Sequence, residues 1–106
     1  MAHIIVETNY PKPPTDSELQ SDGAKLIPCI EERHCKWLRS YLSVDRKRRI
    51  CHFEAPDAES VREAFRSAGL PVGECWKAGA LVKIEDYPDF LKKRDAVRAR
   101  LSGKSP

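Results

Sequence analysis

His52 stands in the middle of a short alternating run, Arg48-Arg-Ile-Cys-His-Phe-Glu-Ala55, with Glu54 two residues further on. Residues two apart in an extended strand share a face, so this imidazole and carboxylate project together. The run before it, Cys35-Lys-Trp-Leu-Arg-Ser-Tyr-Leu-Ser43, places Trp37, Arg39 and Tyr41 on alternate positions. Glu7 follows the apolar segment Ile4-Ile-Val6 and offers a second carboxylate. A neutral imidazole with one or two carboxylates suits nickel, zinc or iron. A guanidinium beside them can clamp a carboxylate or phosphate through paired hydrogen bonds. His52 and Glu7 are therefore the candidate metal ligands, and Trp37, Arg39, Tyr41 and Glu54 the candidate ligand-binding residues. Each also has a plainer role. His52 can be a core histidine bonded to Tyr41 or a glutamate, and Arg39 with Glu54 a cross-strand ion pair.

The elements that must position these residues are legible from pattern. Val44-Asp-Arg-Lys-Arg48 reads as a turn joining two β-branched and aromatic runs. A turn centred on Arg46 and Lys47 sets residue 41 opposite 52 and residue 39 opposite 54. One face of the hairpin then carries Trp37, Arg39, Tyr41, Ile50, His52 and Glu54. The other carries Leu38, Leu42, Val44, Cys51, Phe53 and Ala55 and is the core face. Ile4-Ile-Val6 predicts a first strand, stopped by Asn9 and the prolines at 11, 13 and 14. Thr15-x-x-Glu18 is a capping box that opens a helix carrying Leu19, Leu26, Ile27 and Ile30, with a kink or break expected at Pro28.

Asp57 caps a second helix with Val61, Ala64, Phe65 and Ala68 on one side, and Gly69 with Pro71 stops it. Val72 to Val82, interrupted by Gly73 and Gly79, predicts a last strand. Asp86 and Pro88 begin a terminal helix whose apolar residues are Phe90, Leu91, Val97 and Leu101. The order is β-α-β-β-α-β plus a C-terminal helix. That is an α+β, ferredoxin-like plan: a four-stranded antiparallel sheet with both helices on one face. Residues 1–85 form the domain on this reading, and 86–106 a helical extension that should dock on its own sheet or across a partner.

Two helices on one face leave the other face bare. Alternation adds His3, Ile5, Glu7 and Trp76 to it. An apolar patch of tryptophans, Tyr41 and Ile50 calls for a cover, and a homodimer packing sheet on sheet supplies one.

The net charge of +3 is mild and sits in two clusters, Arg46-Lys-Arg-Arg49 and Lys92-Lys-Arg94 with Arg98 and Arg100. A nucleic-acid binder shows a stronger, more continuous basic face. The N-terminus has no basic lead or long apolar run, so no signal peptide and no membrane partner are expected. The four cysteines show no C-x-x-C spacing, and reduced thiols in the cytoplasm are the expectation. No nucleophile elbow, P-loop, dinucleotide-binding glycine signature or zincin motif is present, and no catalytic residue is assigned.

The segments Trp37-Leu-Arg-Ser-Tyr-Leu and Cys51-His-Phe-Glu-Ala-Pro-Asp-Ala-Glu-Ser-Val-Arg-Glu-Ala-Phe, followed by Ala68-Gly-Leu-Pro, resemble the DUF4242 family. That family consists of small ferredoxin-like proteins that include a nickel-binding member. The likeness spans about residues 3 to 85 and leaves the terminal helix outside. It implies the ferredoxin-like fold and points to nickel as a cofactor. Arg39 and Ala64 stand where the family commonly has histidine, so the resemblance brings no ligand set with it. The function expected is a small dimeric binding protein for a transition metal or small ligand on the open face. The rivals are a cofactor-independent enzyme in a dimer cavity, with His52 as general base and Arg39 as anion clamp, and a nucleic-acid or protein interaction module.

Overall fold

The computed structural model describes residues 1–103; the end of the expected 86–106 extension, residues 104–106, lies outside the described residues. The elements run β1 (Ala2–Asn9), α1 (Asp16–Glu32), β2 (Lys36–Leu42), β3 (Arg48–Ala55), α2 (Ala58–Ser67), β4 (Glu74–Ala78), a 3-10 turn (Ile84–Asp86) and α3 (Pro88–Leu101). The strands form one antiparallel sheet in the order β2-β3-β1-β4. The expected ferredoxin-like α+β plan is what the chain adopts.

Strict alternation decides which side chains the helices cover. On β1, Ile4, Val6 and Thr8 are buried, and on β3 Arg49, Cys51, Phe53 and Ala55 are. The apolar ones among these meet Leu26 and Ile30 of α1 and Val61, Ala64 and Phe65 of α2 in a single core. Phe53 is its centre, stacked on Trp37 at 5.7 Å and edge-on to Phe65 at 5.9 Å between ring centroids.

Both helix starts are capped as their sequences predict. Thr15 Oγ1 accepts from the Glu18 amide while the Glu18 carboxylate accepts from the Thr15 amide, each at 3.1 Å. Asp57 accepts from the Ser60 amide at 2.7 Å. Pro28 does not break α1, which continues to Glu32. The missing amide forfeits one hydrogen bond, but burial of Leu26 and Ile30 on either side of it holds the turn against the sheet. The helix ends with His34 in the left-handed region at φ 58°, where the Cys35 amide bonds the Ile30 carbonyl and the His34 amide that of Glu31. His34 is thus an exposed helix terminator rather than a site residue.

The last strand is shorter than expected, five residues rather than the run from 72 to 82. Gly73 sits just before it, and a Cβ placed there would come 2.0 Å from the Glu7 carbonyl oxygen. No flexible side chain can yield at that contact, since the obstacle is backbone. Gly73→Ala is expected to pry β4 from β1 and destabilise by about 1–3 kcal/mol. Chemical denaturation checks it; an unchanged midpoint would show that the strands approach less closely.

The terminal helix behaves differently from expectation within one chain. α3 packs against the 3-10 turn, with Tyr87 and Phe90 stacked at 4.9 Å, and does not lie on its own sheet. The molecule is elongated, 60 × 32 × 19 Å. Phe90 and Leu101 remain exposed. Among the described residues no helix is long and apolar enough to cross a membrane.

Candidate metal and ligand site on the open face

Two features of the β2–β3 hairpin differ from the simple reading and rearrange the open face. The turn centres on Asp45 and Arg46, not on Arg46 and Lys47. Arg46 takes the left-handed conformation at φ 63°, and Leu42 pairs with Arg49. Asp45 holds the turn by accepting from Ser43 Oγ and the Lys47 amide. Arg46 then reaches Asp16 at 2.6 Å and the Pro14 carbonyl at 3.0 Å, pinning the turn to the start of α1. Further along β2, a bulge at Leu38 shifts the register between Trp37 and Arg39. One extra residue reverses the side on which everything beyond it points.

Trp37 is the residue most affected. It belongs to the helix side, stacked on Phe53 and close to Gly23 of α1, not to the open face where simple alternation placed it. Its indole N–H donates to Ser40 Oγ at 2.8 Å, and that hydroxyl donates to the Cys51 sulfur at 2.9 Å. Leu38 turns toward the open face in its place.

The shifted turn also changes who faces whom. Arg39 sits opposite His52, and Tyr41 opposite Ile50. Glu54 faces His3 on one side and Lys36 on the other, so the expected Arg39–Glu54 ion pair does not form. Tyr41 stays on the open face, well exposed, one pair along from His52. Glu7 is opposite Ile50 and is not brought to His52. Its carboxylate takes the Arg48 guanidinium at 2.6 Å and the Trp76 indole N–H at 3.2 Å. Those two donors hold the Glu7 carboxyl below the usual carboxylate range.

What His52 does meet is another histidine. His3 lies diagonally across the β1–β3 ladder, where His52 itself is paired with Ile5 and His3 with Glu54. Diagonal neighbours on one sheet face are within reach of ring side chains. His3 Nδ1 and His52 Nε2 are 2.8 Å apart, one ring donating its N–H to the other. The strand register carried the signal for His3, since alternation along β1 sets residue 3 on the face of residue 52.

The pair opens onto a cavity of about 650 Å³. Leu38, Arg39 and Glu54 line it from the sheet, and Leu81 to Glu85, the segment after β4, close it from above. Sequence reasoning missed this second wall, because it took 72 to 82 as strand.

Burial, and then the charges of His3 and Arg39, push the His52 imidazole below its ordinary pKa, with Glu54 opposing. A neutral ring is the form that binds a metal. The same shift links stability to pH. The unfolded chain takes up the proton before the folded one, so this contribution is intact above about pH 6.5 and lost as the pH falls through it. The melting temperature is expected to fall below about pH 6.5, and His52→Gln to flatten that slope. Thermal scans in a pH series check it; identical slopes would separate His52 from the acid sensitivity.

Two imidazole nitrogens bound about 2.0–2.1 Å from a common ion lie roughly 3 Å apart. The His3–His52 spacing fits a pair of donors to one metal once the ring whose N–H bridges them carries its proton on the other ring nitrogen instead. Among the described residues, no group of three or more His, Cys, Asp or Glu completes a full set. The cysteines take no part. All four are free, and burial pushes the thiols of Cys35, Cys51 and Cys75 up.

The chain was compared with known proteins. No curated protein sequence matches it. The crystal structure of SCO4226 from Streptomyces coelicolor A3(2) superposes with a TM-score of 0.69 at 16% identity, covering 76% of this chain and 100% of that one. That likeness is one of fold. Residues 5–77 match the family model described as nickel responsive protein, SCO4226-like, in keeping with the resemblance to small ferredoxin-like proteins that include a nickel-binding member. With that match spanning well over half its length, the chain belongs to the SCO4226-like family.

Proposed function

We propose that this protein is a small homodimeric binding protein that holds a divalent transition ion, nickel in the first place, on the open face of its sheet. The observation that carries the reading is the convergence of His3 Nδ1 and His52 Nε2, 2.8 Å apart at the mouth of a cavity. Glu54 and Arg39 flank the pair and Tyr41 borders it, while Trp37, packed on Phe53, and Glu7, held by Arg48 and Trp76, stand outside it. The ion would supply Lewis acidity or simple storage, and the imidazoles would hold it. The family's description as nickel responsive supports the choice of metal.

Dimerisation rests on the apolar surface of the same face. Tyr41 is 64% exposed and Trp76 46%, with Ile5 and Ile50 between them on the inner strands. A twofold partner would cover that patch and enclose the histidine pair. The cytoplasm, with its reduced thiols, suits four free cysteines. Residues 1–85 act as the binding domain on this reading, and 86–106 as an extension whose described part carries α3.

A nucleic-acid role has less to stand on, since the basic cluster at the hairpin is already engaged. Arg46 bonds Asp16, Arg48 bonds Glu7, and Arg49 is buried over the Tyr10 ring at 5.8 Å. The deciding experiment uses protein purified without a histidine tag, dialysed against nickel and then against buffer. Retained nickel by mass spectrometry and a dimer by analytical ultracentrifugation are expected. Protein that retains no nickel would sink the reading.

A further inference from the structure

The His3–His52 pair gives an ion two donors, and among the described residues no third protein donor joins them. A divalent transition ion with nitrogen and oxygen ligands takes at least four. The remaining positions fall to water or to a small molecule, and the cavity beside the pair is built for the second.

Its volume of about 650 Å³ lies within the range of roughly 300–1,000 Å³ typical of small-ligand sites. Part of its lining is charged: Arg39 and Lys83, with Glu54 and Glu85. Among the described residues none of these four side chains is engaged in an ion pair. The rest is apolar. Leu38 is turned in by the β2 bulge, and Leu81, Val82 and Ile84 are 50%, 62% and 51% exposed above it. That upper wall lies beyond the 5–77 family match.

We infer that the site takes its metal as the chelate of an apolar α-amino acid, a deepening that rests on the nickel reading above. The amino nitrogen and one carboxylate oxygen close a five-membered ring on the ion, and the ammonium proton leaves to solvent. His3 and His52 supply two further donors. The second carboxylate oxygen receives the Arg39 guanidinium, which stands directly opposite His52 on the neighbouring strand. The side chain lies on Leu38, Leu81, Val82 and Ile84, which it shields from water. A hydrated ion alone would leave both the cations and this apolar wall unmatched. A polycarboxylate chelator would meet Glu54 and Glu85.

Equilibrium dialysis of the full chain, made without a histidine tag, tests this with nickel chloride and radiolabelled L-leucine, and with glycine as the comparison. L-leucine is expected to be retained only when nickel is present. Glycine, lacking the apolar side chain, should be held about tenfold less well. Arg39→Ala should weaken leucine retention by about tenfold through loss of a charged hydrogen bond. With both present, nickel retained while leucine is not overturns the chelate and leaves the nickel reading standing; leucine retained equally in the absence of nickel also overturns the chelate. Retention of neither overturns both.

Discussion

Phe53→Ala is expected to destabilise the protein by about 3–5 kcal/mol, the range for deleting a fully buried ring. Phe53 is 0% exposed and packs against both the sheet and the helices: Trp37 stacks on it from β2, and Phe65 meets it edge-on from α2. The cavity left behind cannot close, because its walls belong to three separate elements. Each kcal/mol lowers the melting temperature by about 4–8 °C in a domain of this size, so a fall of more than about 12 °C is expected. Trp37→Ala should act in the same direction, through the same stack, and leave association between chains alone. Thermal and urea denaturation read both. A Phe53→Ala protein within about 1 kcal/mol of the parent would mean that the sheet and helices pack around something other than this ring.

The second large effect concerns the metal. His52→Ala removes one of the two imidazoles that converge at 2.8 Å, and nickel affinity is expected to fall at least about 100-fold. Even partners that merely orient a ligand histidine are worth about 10–100-fold, and a direct donor carries more. His3→Ala should be comparable. Glu7→Gln separates the two readings of this face. Alternation alone makes Glu7 a ligand, whereas its ion pair with Arg48 and its bond to Trp76 keep it away from His52. Nickel affinity should therefore survive Glu7→Gln with little change. Isothermal calorimetry on the three variants decides. A Glu7→Gln protein that loses nickel while His3→Ala keeps it would reassign the site to the β1–β4 side of the sheet.

Local signals were enough for most of the architecture. The capping box at Thr15, the Asp57 cap, the Gly69 stop and the period-two runs around Phe53 each state a conformation within a few residues. Together they dictate a ferredoxin-like sheet with two helices on one face, because such signals act over short distances in the chain. The burial of Ile4, Val6, Cys51 and Phe53 follows from them as well. His52 on the open face is equally local, being two residues from Glu54 on a strand whose other side is apolar.

Register was not local. The centre of the hairpin turn depends on Arg46 adopting a left-handed conformation and reaching Asp16, thirty positions away in sequence. The bulge at Leu38 depends on Trp37 finding a better place between Phe53 and Gly23 than on the open face. Burying that large ring beneath α1 favours a side-switch that no alternation rule contains. Once both had happened, Trp37 had left the site, Arg39 had moved opposite His52, and Glu7 had been left to Arg48. His3 became a partner of His52 only through the pairing of β1 with β3, elements separated by the whole of α1 and β2. The composition of the sheet's faces was thus written in the sequence, while the identity of the residues that meet there was decided by cross-strand packing.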